Sequence, residues 1–243
     1  MTILALESSA GPASVAVLRD GKILYESNLN TATTHSGTLM PMVSEAMRIT
    51  NMQIKDVDFL AVACGPGSFT GVRIGVSAVK GMAFGGDKKC VGVSTLEAMA
   101  YNLLPVNGTA VCVMDARCAQ VYCGIFKITD GAVSRIAPDN AVSVRELKET
   151  LKTLGGDIYL VGDGVELCYL SFKDDVKNVR LSPANARYQR ASSVALCAEK
   201  KLENGEEAVS GSELEVKYLR LPQAERELLA KKEKDDNKSP NAV

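Results

Sequence analysis

The sequence contains no tryptophan and only one histidine, His35, among its 243 residues. A lone histidine cannot form a His-x-x-x-His metal pair, and the seven cysteines include no C-x-x-C pair that would supply sulfur ligands. Several cysteines stand inside apolar segments, where a thiol behaves as a small hydrophobic side chain. We therefore expect reduced core thiols, no metal site, and a His35 that frames the start of a helix rather than performing acid–base chemistry.

Long apolar runs and an excess of one charge are also missing. No segment approaches about 18 uninterrupted apolar residues, and the N-terminus has no basic region followed by an apolar stretch, so we expect no membrane span, no signal peptide and a cytoplasmic location. The formal net charge is -1, and the clearest charge run, residues 231–236, cancels its own signs. The absence of a basic stripe argues against strong direct RNA binding by this chain alone.

One order of predicted elements occurs twice, about a hundred residues apart. Each copy has three strands followed by helix, strand, helix, strand and helix, and a turn of the Asp-Gly type joins its second and third strands, at Asp20-Gly21 and Asp130-Gly131. This duplicated βββαβαβα order resembles the two-lobed actin-like ATPase (ASKHA) fold, an α/β architecture in which two lobes enclose a nucleotide. We expect an N-terminal lobe over 1–104, a C-terminal lobe over 105–221, and a charged, disordered tail over 222–243.

A glycine-dense run connects a predicted buried strand to a predicted helix. Its loop residues are Gly65, Pro66, Gly67, Ser68, Phe69, Thr70 and Gly71, and the run continues to Gly75. No lysine follows Gly71, as a Walker loop requires, and Gly71 falls one residue late for a G-x-G-x-x-G fingerprint. Two interpretations stay open: a tight strand-to-helix turn with no ligand, or a turn that offers backbone N–H groups to an anion or to a partner.

The residues that would handle nucleotide phosphates are altered. An Asp-x-Gly-x-Thr-like hairpin is expected after the first strand of an active actin-like ATPase, but the chain reads Glu7-Ser8-Ser9-Ala10-Gly11-Pro12 there. The counterpart in the second half, Asp115-Ala116-Arg117, has no glycine, and a glycine pair for the adenosine falls near Gly162 and Gly164. These departures argue against ATP hydrolysis by this chain alone. A small-molecule kinase or ATPase remains the alternative function.

Two predicted helices carry more apolar residues than one buried face requires. The first runs from about Gly37 to Asn51 and the second from about Gly71 to Phe84. A helix pair buried within the chain is one interpretation, but a protein–protein interface is favoured, because methionines and small residues suit an adaptable contact surface. The candidate partner-binding residues are Leu39, Met40, Val43, Met47, Val72, Arg73, Val76 and Val79.

Several motifs stand in the order of a known family. They are Ile3-Leu4-Ala5-Leu6-Glu7-Ser8-Ser9, His35-Ser36, the run from Gly65 to Gly75, Lys80-Gly81, Gly92-Val93-Ser94-Thr95-Leu96-Glu97-Ala98 and Asp115-Ala116-Arg117. Together they resemble the bacterial TsaB family, also called YeaZ. The likeness is close over about the first 120 residues, and Tyr218-Leu219-Arg220 with Gln223-Ala224-Glu225-Arg226 resembles the family's C-terminal end.

The resemblance implies a role in threonylcarbamoyladenosine modification of tRNAs that read codons starting with adenine. It implies a non-catalytic subunit that pairs with the transferase TsaD through first-lobe helices, with the ATPase TsaE joining the assembly. The same surface is expected to form a homodimer when TsaD is absent, and tRNA is expected to bind only through the complex. No catalytic residue and no required cofactor are implied, with an adenine nucleotide bound weakly or at the partner interface at most. Peptidase activity, a third hypothesis, lacks metal ligands and a visible nucleophile–base pair.

Overall fold

A computed structural model describes residues 1–31 and 33–220, and the first half of the chain forms a five-stranded mixed sheet. Its strands are β1 (Thr2–Glu7), β2 (Ala13–Arg19), β3 (Lys22–Leu29), β4 (Phe59–Ala63) and β5 (Lys89–Val93). They lie in the order β3-β2-β1-β4-β5, with β1 antiparallel to β2 and parallel to β4. β1 is buried along its whole length because helices cover both faces of the sheet centre.

The second half repeats this arrangement. Its strands are β6 (Gly108–Asp115), β7 (Gln120–Thr129), β8 (Ala132–Ser143), β9 (Ile158–Val161) and β10 (Val179–Leu181). Their order, β10-β9-β6-β7-β8, reproduces the connectivity of the first sheet when it is read from the opposite edge. The predicted α/β fold with a duplicated βββαβαβα topology is therefore confirmed, whereas the predicted tail over 222–243 lies outside the described residues.

Six helices complete the two lobes within the described ranges. They are α1 (His35–Ile49), α2 (Phe69–Gly86), α3 (Thr95–Ala100), α4 (Val144–Lys152), α5 (Val165–Phe172) and α6 (Ala191–Glu203). Serines begin three of them: the Ser68 hydroxyl accepts the Gly71 amide at α2, Ser94 does the same at α3, and Ser143 forms a capping box at α4. Over residues 1–31 and 33–220, none of the helices has the length and apolar character needed to cross a membrane.

The last helix of each lobe packs on the sheet of the other lobe. On α3, Leu96 and Met99 are buried against the second sheet, where they join a core cluster that contains Phe126. On α6, Val194 and Ala195 are buried against β1, β2 and β4 of the first sheet. Each sheet therefore has one face covered by a helix that follows the other sheet in sequence. The division of the chain at residues 104 and 105 stays a prediction.

Candidate functional site

The glycine-rich loop between β4 and α2 packs against the backbone of Ser8 and Ser9, which follow β1. The Ser68 amide donates to the Ser9 carbonyl at 2.6 Å. A Cβ atom added at Gly67 or Gly71 would clash with the carbonyl oxygen of Ser9 or Ser8, respectively. These two glycines are needed because the backbone of the loop and of the hairpin come into direct contact. The chain's own hairpin therefore lies against the glycines that would otherwise face an anion.

A segment near the C-terminus, Leu214–Arg220, lies across this loop, and we call it the strap. Its Leu214 is buried in the core of the first lobe, and its Lys217 amide donates to the Cys64 carbonyl at 2.8 Å. Gly65 has a φ of 112°, and a Cβ at this position would clash with the Lys217 carbonyl. Gly65 is thus required both by its left-handed conformation and by the close approach of the strap.

Aromatic and cationic side chains hold the strap on the start of α2. The rings of Phe69 and Tyr218 stack with their centroids 5.0 Å apart. The Arg73 guanidinium lies 3.6 Å from the Phe69 ring centroid, and its Nε donates to the Tyr218 hydroxyl at 2.7 Å. On the second lobe, Nη1 of Arg220 donates to the Ala116 carbonyl at 3.0 Å. The strap therefore bridges the two lobes at the opening of the cleft.

The cleft between the lobes contains a cavity of about 510 Å³. The hairpin after β1, the glycine-rich loop, the β6–β7 loop and the strap all contribute to its wall. Its polar and aromatic lining residues are Ser9, Ser68, Phe69, Asp115, Arg117, Tyr122, Asp163, Lys217, Tyr218 and Arg220. Cavities of this size hold small molecules or single nucleotides in other proteins.

Two buried carboxyl groups, Asp163 in the wall of the cavity and Glu7 at the end of β1, are disfavoured as anions. Glu7 is completely buried, and burial raises its pKa to about 7 although its Oε1 accepts the Ser9 amide at 2.6 Å. Burial also raises the pKa of Asp163, which accepts a hydrogen bond from the Gln189 amide group at 2.8 Å. Within the described ranges, no group of three His, Cys, Asp or Glu side chains is placed to hold a metal ion. A carboxyl that resists ionisation is a poor ligand for a nucleotide-bound cation.

His35 and the cysteines occupy structural positions. His35 is the first residue of α1, and its Nε2 lies 3.2 Å from the Pro12 carbonyl oxygen, so it frames the helix start as predicted. Cys118 is exposed, and the other six cysteines are buried. Burial raises the pKa of Cys64 to about 12, as expected for a core thiol without a role as a nucleophile.

Most of the candidate partner-binding residues have buried side chains, which corrects the expectation that they form a contact surface. Six of the eight lie in the core of the first lobe, with at most 9% of their surface exposed; they are Leu39, Val43, Met47, Val72, Val76 and Val79. Only Met40 and Arg73 are exposed. The six buried residues point toward the sheet because α1 and α2 each use their most apolar stripe to cover it. They support the helix pair from beneath and do not form its outer surface.

Other residues form the outer surface of the pair, which we call the α1–α2 face. Ile74, Ala78 and Met82 follow one another at four-residue spacing on α2 and are partly exposed. Met42 and Ile49 share one side of α1, and Ile49 is 53% exposed. Gly81 and Gly85 also belong to this face, and a Cβ at either would meet nothing within 4 Å. The result is a low, apolar surface that a second helix can approach closely.

Sequence reasoning missed the strap and the exposed residues of the α1–α2 face. The strap has no periodic pattern, and its one signal was the likeness of Tyr218-Leu219-Arg220 to the end of a known family. The outer face could not be identified from the sequence because α2 is apolar on most of its circumference. Counting apolar positions therefore does not show which side of α2 packs on the sheet and which side faces solvent.

The duplicated lobes and the cleft between them define a protein of the actin-like ATPase fold. Within that fold, the glycine-rich loop packs on the chain's own hairpin, and Glu7 is buried at the end of β1.

Comparisons with known proteins identify the family. The family model described as "TsaD: tRNA N6-adenosine threonylcarbamoyltransferase" matches residues 29–228. The "tRNA threonylcarbamoyladenosine biosynthesis protein TsaB" of Bacillus subtilis (strain 168) is 32% identical over 227 residues, which are 93% of this chain and 96% of the relative. A "tRNA N6-adenosine threonylcarbamoyltransferase" of Jannaschia sp. (strain CCS1) is 33% identical but matches 45% of this chain and 36% of the relative. The solved structure "YeaZ from Pseudomonas aeruginosa" has a TM-score of 0.74 at 24% identity and covers 89% of this chain and 99% of that one.

The chain belongs to the TsaB (YeaZ) family, because its full-length match is to TsaB whereas its match to the Jannaschia transferase is partial. The family prediction made from the motifs is confirmed.

Proposed function

We propose that the chain is a non-catalytic scaffold and activator subunit in tRNA threonylcarbamoyladenosine synthesis. It binds the transferase TsaD, with TsaE joining, for threonylcarbamoyl transfer to adenosine 37 of tRNAs that read ANN codons. The site of action is the cytoplasm, and tRNA is reached through the complex. The names of the relatives support this role, and the α1–α2 face is the observation that carries the partner-binding part of it.

The α1–α2 face suits a helical partner for a physical reason. Ile74, Ala78 and Met82 expose apolar atoms along three turns of α2, and Gly81 leaves the helix backbone accessible between turns. Removing this apolar surface from water stabilises an assembly by roughly 25 cal/mol per Å². When TsaD is absent, a second copy of the chain can cover the same face, so we propose a homodimer for the isolated protein.

The cleft supports a role without catalysis. A kinase or ATPase needs carboxylates that hold a nucleotide-bound cation and a glycine backbone open to phosphate. In this chain burial disfavours the charged form of Glu7, and Gly67 packs on Ser9. We propose that an adenine nucleotide, if the chain takes one, binds weakly or at the interface with the partner. Calorimetry with ATP and magnesium is expected to give no turnover by the isolated chain, and turnover would revive the kinase or ATPase alternative.

A charge placed on the α1–α2 face tests the partner-binding proposal. Gly81→Glu is the preferred variant because the site is exposed and has room for a side chain, so the fold should survive. We expect it to weaken binding to TsaD at least tenfold, since a carboxylate buried in an apolar interface without a partner costs on the order of 1–3 kcal/mol or more. Binding is measured by titrating labelled TsaD with the purified chain.

A matched control separates this effect from a change of net charge. Gly155→Glu introduces the same side chain at an exposed site of the second lobe that is also free of neighbours within 4 Å. It should bind TsaD like the parent chain, and sedimentation should show a homodimer for this control but a monomer for Gly81→Glu. Normal TsaD binding by a folded Gly81→Glu chain would contradict the proposal. Val76→Glu would not be informative because Val76 is 4% exposed, and a charge there would unfold the lobe.

A further inference from the structure

The opening of the cleft gathers cationic and aromatic side chains that are far apart in the sequence. Arg117 comes from the β6–β7 loop, whereas Lys217 and Arg220 come from the strap. Tyr218, also on the strap, has 44% of its surface exposed, and Phe69 and Tyr122 line the same cavity. No basic stripe is visible in the sequence because only the folded chain brings these segments together. We call this set of residues the cleft mouth.

The cations of the cleft mouth keep their charge available. Across residues 1–31 and 33–220, Arg117, Lys217 and Arg220 make no ion pair with a carboxylate. Arg220 donates to the Ala116 carbonyl, which is uncharged, and no carboxylate of the described residues pairs with it. The acidic groups that line the cavity are Asp115, whose Oδ1 accepts the Arg117 amide, and Asp163, whose pKa is raised by burial. Among the described residues that line the opening, positive charge therefore exceeds negative charge.

Donor groups without acceptors lie on the same wall. The Ser68 amide donates to the Ser9 carbonyl and the Ser68 hydroxyl accepts the Gly71 amide, but in the described part of the chain the first-turn amides of Phe69 and Thr70 have no acceptor. The hydroxyl of Ser9, a fully buried residue that lines the cavity, lies beside the Glu7 carboxyl, and its hydrogen bond acts to lower the pKa of that group against the larger effect of burial. Together with the nearby cations, these donors suit a single phosphate group.

We propose that the cleft mouth binds one unstacked nucleotide of an RNA strand, with a phosphodiester at Lys217 and the base on the exposed ring of Tyr218. Aromatic rings and cations along a groove are the usual means of holding single-stranded nucleic acid. A free nucleoside triphosphate fits less well, because its additional phosphates would need the glycine backbone that Ser8 and Ser9 already cover. The inference rests on the proposed role in tRNA modification and assigns this chain a direct contact with the RNA within the assembly.

The test measures binding of a short fluorescein-labelled oligoadenylate by fluorescence anisotropy, at low and at moderate salt. It uses the full chain alone and the full chain mixed with TsaD. We expect Lys217→Glu to weaken binding by about tenfold and to lower the salt slope by about one, because one phosphate contact is lost. Tyr218→Leu should weaken binding roughly fivefold or more with an unchanged salt slope, and Tyr218→Phe should restore it, because stacking needs only the ring.

Controls keep this result separate from the partner-binding proposal. Lys177→Glu reverses an exposed charge on the second lobe, away from the cleft mouth, and should leave RNA binding unchanged. Neither Lys217 nor Tyr218 belongs to the α1–α2 face, so their variants should still capture TsaD. The inference is overturned if Lys217→Glu and Tyr218→Leu bind RNA like the parent chain, if the parent binds no RNA in either format, or if ATP binds more tightly than the oligoadenylate and displaces it. If the parent chain fails to capture TsaD, that result counts against the scaffold function instead. The binding of oligoadenylate to the isolated chain would then still test the RNA contact.

Discussion

Glu7 ends the central strand of the first sheet and carries a buried ionisable group, two residues before Ser9, which lines the cleft cavity. Its folded-state pKa of about 7 lies above the ordinary value of 4.5 because burial penalises the carboxylate more than the hydrogen bond from Ser9 stabilises it. Between these two pH values the folded chain holds a proton that the unfolded chain has released. The contribution of Glu7 to stability is therefore greatest below about pH 4.5, falls as the pH rises toward 7, and is constant above that.

Replacement of Glu7 by glutamine tests whether its pKa is raised in the folded chain. Glu7→Gln keeps an oxygen for the Ser9 amide and removes the cost of burying a charge, so it should raise the free energy of unfolding by up to about 3 kcal/mol near pH 8. The difference between the variant and the parent should shrink toward zero near pH 4.5, which isolates Glu7 from Asp163, whose pKa is also raised. Urea denaturation at several pH values measures the free energy of unfolding of the variant and of the parent. A difference that does not change with pH would mean that Glu7 has an ordinary pKa.

At the scale of elements, the glycines of α2 divide into two kinds. Gly71 faces the Ser8 carbonyl, with no room for a Cβ, whereas Gly81 has open space around it. Gly71→Ala should therefore destabilise the chain by several kcal/mol, because either the helix or the hairpin must move. Gly81→Ala should stabilise it by about 0.5–1 kcal/mol through helix propensity alone. Thermal unfolding of the two variants compares their stabilities directly. Similar effects at both positions would contradict the inference that Gly71 is required by its close packing on the Ser8 carbonyl.

The elements themselves could largely be predicted from the sequence, since strand runs and caps are local features. The second helix was predicted from about Gly71 to Phe84, and α2 covers Phe69–Gly86 because Ser68 caps it earlier. The next helix, α3, is short: it ends at Ala100 and continues as a 3₁₀ turn over Tyr101–Leu103. The hairpin turns at Asp20-Gly21 and Asp130-Gly131 could be predicted because both turn residues adopt a positive φ, a conformation that the Asp-Gly pair favours.

The site could be predicted only in part, because its surfaces depend on contacts between distant segments. The sequence shows that residue 65 is a glycine but not why a glycine is needed there. The need comes from the carbonyl of Lys217, which packs against Gly65 from a segment more than a hundred residues away. Apolar spacing identified the two helices of the α1–α2 face, yet which side of α2 meets the sheet depends on tertiary packing. Gly81 and Ile74, which lie on the outer side, follow from the fold and not from the pattern.

At the scale of the whole molecule, the two lobes depend on each other because they exchange their last helices. The second face of the first sheet is covered by α6, where Val194 packs near Ile3 in one core cluster. The start of α6 is fixed there by Glu26, which pairs with Arg190 and accepts the Ser192 amide at 3.1 Å. The Arg190 ion pair and the Ser192 amide hold the pKa of Glu26 below its ordinary value despite its partial burial. Neither sheet can therefore complete its core from its own half of the sequence.

Dividing the chain between residues 104 and 105 tests this dependence. The fragment 1–104 keeps the whole first sheet but loses α6, which exposes an apolar sheet face that includes Ile3 and Ala61. We expect this fragment to aggregate or remain unfolded when it is produced alone, because the lost burial exceeds the stability of a typical domain. Co-expression with 105–243 should give a soluble pair with the circular dichroism of the full chain, since α6 then returns to its place on the first sheet. A fragment 1–104 that unfolds cooperatively as a soluble monomer would show that the first lobe is independent, and the exchange of helices would then align the lobes without being needed for their folding.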